Sequence, residues 1–153
     1  MNEVIQHEPS TDVVVTTVAG QVAPTHYSAS PEYNAMVLSL LRQSARSGDA
    51  DSQTKLGAMY ACGDGVTKNY SVAFALLRPA ADKRHPLALY NLGVMYARGY
   101  GTDVNAEVAF NCYSRAAELG NLDALNNLGV CYQNGFGCVR GLEVAFGRFR
   151  EAA

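Results

Sequence analysis

Between Leu92 and Phe110 the chain reads LGVMYARGYGTDVNAEVAF: a Leu-Gly pair, a tyrosine, a Gly-x-Gly, then Val-Ala-Phe. A Gly-x-Gly of this kind either cradles a phosphate or punctuates something structural. Two further copies decide between these. Leu56-Gly57 and Leu128-Gly129 stand 36 residues to either side of Leu92-Gly93. Tyr60, Tyr96 and Tyr132 keep the same spacing, as do Gly63/Gly65, Gly99/Gly101 and Gly135/Gly137. Val72-Ala73-Phe74 returns as Val108-Ala109-Phe110 and as Val144-Ala145-Phe146, and Ala80-Ala81 returns as Ala116-Ala117 and Ala152-Ala153. No gap interrupts the register. Self-similarity at one fixed period is the mark of a repeat array.

Each unit reads as two helices. From Asp49 to Cys62, Ser52, Leu56, Met59 and Tyr60 fall at helical spacings, and the equivalent positions of the next two copies do the same. The second helix is predicted from near Asn69 to about Lys83, where Val72, Ala73, Leu76, Leu77, Ala80 and Ala81 form one face. Gly57, Gly93 and Gly129 lie inside the first helices, where glycine costs about 1 kcal/mol against alanine. Their recurrence predicts a neighbouring helix too close for a β-carbon. A phosphate loop follows a strand, occurs once and opens a helix. Here the Gly-x-Gly follows a helix three times and no Gly-Lys-Ser/Thr accompanies it. It is read as a turn, its first glycine ending the helix in the left-handed region.

The remaining segments are read around this array. The 153 residues are 48% hydrophobic, enough for a real core. Formal net charge is -2 and the twelve Lys and Arg are scattered, against the basic surplus of a nucleic-acid binder. No apolar run is long enough for a membrane helix. Residues 1–30 carry Glu3, Glu8 and Asp12 and no Lys or Arg. They are read as a flexible acidic tail rather than a signal peptide, which needs a positive start. The alternative is that Val13 to Val18 docks as an extended strand. Residues 31–47 are predicted as a lone second helix that caps the stack, opened by Pro31. The repeats then cover 48–83, 84–119 and 120–153, the third truncated within its second helix.

The order Ala, Leu-Gly, Tyr, Gly-x-Gly, Ala, aromatic, Ala-Ala resembles the Sel1-like repeat, a relative of the tetratricopeptide repeat. The second copy carries it at Ala88, Leu92, Gly93, Tyr96, Gly99, Gly101, Ala109, Tyr113, Ala116, Ala117 and Gly120. The third carries it from Ala124 to Ala153, and the first departs at Ser52 and Leu77. The resemblance covers residues 48–153. It implies an all-α fold, an α/α right-handed superhelical solenoid of helix-turn-helix repeats, whose first helices line a concave face.

That face supplies the expected site. Lys55, Asn91 and Asn127 share one register and are expected to form a row along the groove. Asparagine amides can pair with both backbone groups of an extended peptide. Tyr90 is a hot-spot candidate and Arg98 a carboxylate clamp, with Asn126 and Asn134 beside them. The expected function is a noncatalytic adaptor or scaffold that holds a peptide or partner protein. The alternatives are a self-assembling module that pairs through an uncapped C-terminal end, or an accessory fragment of a longer Sel1-repeat regulatory protein.

No catalytic, cofactor or metal site is expected. His7, His26 and His85 lack metal-ligand spacing and are read as solvated, with His85 a substitution in a helix-cap slot. No Gly-x-Ser-x-Gly frame occurs. Cys62, Cys112, Cys131 and Cys138 occupy unlike positions and form no Cys-x-x-Cys. Extracellular members of the Sel1-like family carry a regular pair in each unit, so free thiols and a cytoplasmic setting are expected. Cys131 is read as a core thiol.

Overall fold

The computed structural model describes residues 30–138. They form six helices: α1 (Pro31–Arg46), α2 (Ala50–Cys62), α3 (Tyr70–Asp82), α4 (Pro86–Arg98), α5 (Ala106–Glu118) and α6 (Leu122–Asn134). There is no strand among the described residues. The expected tail, and the second helix and end of the third repeat, lie outside them.

Every helix starts on a side-chain cap. Ser30, Asp49, Asn69, His85, Asn105 and Asn121 each accept from the backbone N–H three residues on, which satisfies an otherwise orphaned donor. Short polar side chains suit this position because they compete with the helix anywhere else. His85 therefore corrects the expectation of a solvated side chain. Its Nδ1 accepts from Ala88 N–H at 3.3 Å and its Nε2 meets Asp51 Oδ1 at 2.7 Å. With Nδ1 accepting, the neutral ring carries its proton on Nε2 and donates it to Asp51.

First helices end on Gly63, Gly99 and Gly135, all left-handed. The second glycine of the turn has a different task. A β-carbon on Gly101 would sit 2.5 Å from the Tyr70 carbonyl oxygen, so the turn of one repeat rests on the start of the previous repeat's second helix. Gly137 makes the same approach to the Ala106 carbonyl. Second helices end in a Schellman turn. At α1, Gly48 N–H reaches Ala45 O and Asp49 N–H reaches Ser44 O; at α3, Arg84 and His85 repeat the pattern onto Ala81 and Ala80.

Within the first and second repeats the two helices pack through the internal glycine. A β-carbon on Gly57 would lie 2.8 Å from Leu77 Cγ, and one on Gly93 would lie 2.7 Å from the Tyr113 ring. Only the missing methyl lets the helices come this close. Ala73, Ala80, Ala88, Ala109, Ala116 and Ala124 are fully buried and extend the small-residue seam between helices. Helix α2 packs on α3 and α4 on α5 within repeats, while α3–α4, α5–α6 and α1–α2 join successive ones. Aromatic pairs lock the joints: Phe74 meets Tyr96 edge-on at 5.4 Å and Phe110 meets Tyr132 at 5.3 Å. Helix α4, at the centre, is buried at every position from Leu87 to Met95.

Candidate functional site

The first helices of the second and third repeats, α4 and α6, border a groove. It encloses about 390 Å³ and is lined by Tyr90, Val94, Ala97 and Arg98 of α4, Tyr113 of α5, Asn127, Val130, Cys131 and Asn134 of α6, and Phe136 of the following turn. The 36-residue repeat sets this placement. Val94 and Val130 share one register, as do Arg98 and Asn134, so each pair faces the groove from opposite helices.

The floor is aromatic. The Tyr90 and Tyr113 rings lie 6.0 Å apart and tilted, and Asn127 hydrogen-bonds Tyr113 through its side chain. Burial is the main force holding the Tyr113 phenol protonated well above the usual tyrosine range, and the Asn127 bond works weakly against it. Burial likewise pushes the Cys131 thiol up to about 11, with Cys138 adding to the effect. Both groups are therefore neutral at physiological pH, and neither is an activated nucleophile. The rim is polar and exposed, formed by Arg98 and Asn134, with Val130 52% exposed beside them. Arg98 is the one permanent charge among the lining residues. An apolar trough with a cationic edge can seat an apolar side chain beside a carboxylate. No group of three or more His, Cys, Asp or Glu side chains suited to a metal occurs among the described residues.

Of the seven residues expected on the sequence, the structure brings Tyr90, Arg98, Asn127 and Asn134 together here. Lys55 and Asn126 are exposed but outside the groove. The continuous row through Lys55, Asn91 and Asn127 does not form, because Asn91 is completely buried. Helix α4 is contacted by α2, α3 and α5, and a short amide cannot reach past them. The long stem of Lys55 carries its charge to solvent at the equivalent place. Tyr113 and Phe136 were missed as lining residues. Tyr113 occupies the aromatic position of the repeat pattern, which pointed to packing, and Phe136 stands between the two glycines of the turn.

The second 36-residue unit thus carries a capped helix, a Leu-Gly contact, a Gly-x-Gly turn seated on its neighbour, and an alanine-lined second helix. The Sel1 repeat matches at residues 50–85, 86–121 and 122–153. The chain belongs to the Sel1 repeat family. Solved structures agree on the architecture. A protective antigen of uropathogenic Escherichia coli displaying an SLR fold is 30% identical, with a TM-score of 0.74 over 78% of this chain and 26% of its own. A Sel1 repeat protein from Oxalobacter formigenes is 35% identical, with a TM-score of 0.67 over 76% of this chain and 87% of its own. The Sel1 chain described here thus spans only about a quarter of the E. coli protein. No curated protein matches it.

Proposed function

We propose that this Sel1 repeat chain is a noncatalytic adaptor that holds an extended peptide of a partner protein in the groove between α4 and α6. Sel1 repeats commonly mediate protein–protein interaction. The observation that carries the site is the grouping of a tyrosine floor, two facing valines and the Arg98–Asn134 rim around one open trough. Anchors that fill a pocket supply most of the affinity in such interfaces, and the polar rim supplies orientation. Arg98 favours a partner with an acidic side chain or a terminal carboxylate next to an apolar anchor. A cytoplasmic setting belongs to the same reading, supported by the irregular placement of the four cysteines.

The test begins with selection of peptides from a displayed random library against the full chain. Binding of the selected peptides is then measured on the Arg98→Ala/Asn134→Ala double variant. Both side chains are exposed, so the fold is expected to hold. A loss of tenfold or more in affinity, with an unchanged melting temperature, supports the groove. Selected peptides that bind the double variant as tightly as the parent chain would remove it.

A further inference from the structure

Among the described residues, α1 is a second helix without a first. Shifted by one period, Val37, Leu40 and Leu41 coincide with Ala73, Leu76 and Leu77 of α3 and with Ala109, Cys112 and Tyr113 of α5. In both complete repeats this face is the one that receives the first helix of the same unit, across Gly57 or Gly93. Ala73, Leu77 and Ala109 are accordingly 0% exposed. On α1 the N-terminal part of this face is open and Leu41 is half-buried. Tyr33 is 55% exposed, Met36 54%, Val37 43% and Leu40 58%. These four follow the i, i+3, i+4, i+7 spacing of one helical stripe. Only the C-terminal end of this stripe is already covered, since Ser44 and Ala45 bond Ser52 and Gln53 of α2, while Arg42 on the other side of α1 bonds Tyr60.

A helix face left to water would carry polar residues. This one carries the apolar face that α3 and α5 show to their own partners. What covers that face is visible twice within the chain: a short helix presenting a Leu-Gly pair, the glycine set against Leu77 or Tyr113. Leu41 of α1 stands in that place. We propose that the open face of α1 receives an α-helix of this first-helix type from another molecule, with glycine or alanine seated against Leu41. The recognition chemistry is shape, a small-residue seam closing on Val37, Leu40 and Leu41, and it is independent of the α4–α6 groove.

The probe is a synthetic peptide of residues 85–99, the first helix of the second repeat, held helical by an i,i+4 staple on the side away from Leu92-Gly93. Stapling removes the cost of helix nucleation in so short a segment. Titrated into the full chain, it is expected to bind saturably and to shift the NMR signals of Tyr33, Met36, Val37 and Leu40. Leu40→Glu, an exposed substitution, is expected to weaken it at least tenfold. So is Gly93→Leu in the peptide. No binding, or equal binding to the Leu40→Glu chain, overturns the proposal. Binding that appears only after Val13→Asn, Val14→Asn and Val15→Asn in the full chain also overturns it, because the face would then be filled by the chain's own N-terminal segment.

Discussion

Single residues show where this sequence departs from its own repeat. At the end of α3 the left-handed position falls on Arg84, at φ 62°, where the equivalent turns use Gly48 and Gly120. A side chain held there costs about 1 kcal/mol or more. Arg84→Gly is therefore expected to raise stability by about that amount in urea denaturation, and Arg84→Ala to bring no gain. The turn glycines make the converse test. A methyl on Gly101 meets the Tyr70 carbonyl at 2.5 Å, while one on Gly120 meets nothing within 4 Å. Gly120→Ala is expected to cost about 1 kcal/mol, from backbone strain alone. Gly101→Ala is expected to cost about 3 kcal/mol, since it also pushes two backbone segments apart. Equal losses would mean that the turn does not seat on the previous repeat. The thiols divide in the same way. Burial raises all four thiols, Cys112 and Cys131 to about 11, so little thiolate is present at neutral pH and access decides which reacts first. Mass spectrometry after brief alkylation of the native chain is expected to find Cys62 and Cys138, both only half-buried, modified first.

At the scale of the element, the sequence was informative wherever one residue type has one physical use. Leu-Gly, Gly-x-Gly and paired alanines gave helix positions and turn conformations, because nothing else closes those contacts. The binding row was not legible for the opposite reason. Register alone made Lys55, Asn91 and Asn127 equivalent, but exposure depends on neighbours contributed by other repeats, and Asn91 is buried while Lys55 is not. The cap slot of His85 was legible, since Asp49 and Asn121 hold it elsewhere, but its engagement was not, because the ring's second nitrogen meets Asp51 from another repeat. The caps also carry a pH dependence. Hydrogen bonds from the Ser52 side chain and backbone N–H, in that order, hold the Asp49 carboxyl below its usual range. Such a group stabilises the fold above the unfolded carboxylate pKa of about 4, and its contribution is lost as pH falls through the lowered folded value. Asn caps without titrating. Asp49→Asn is thus expected to flatten the acid limb of a stability–pH profile; an unchanged limb would show that the cap bond contributes nothing.

At the scale of the whole molecule, a repeat array gains its stability from each hairpin leaning on the next, and its function from the faces this leaves uncovered. Two such faces stand out among the described residues: the α4–α6 groove and the outer stripe of α1. Helix α4 lies between them, buried from Leu87 to Met95, and it reaches the groove only through its C-terminal half and Tyr90. The proposed role as a peptide-binding adaptor therefore rests on a short stretch of surface, and it is best tested by mapping that surface directly. A two-dimensional amide NMR titration of the full chain with a library-selected peptide does this. The account predicts shifts concentrated at Val94, Arg98, Asn127, Val130 and Asn134, with α3 and the outer face of α5 unmoved. Shifts centred on those second helices, with the groove silent, would contradict it.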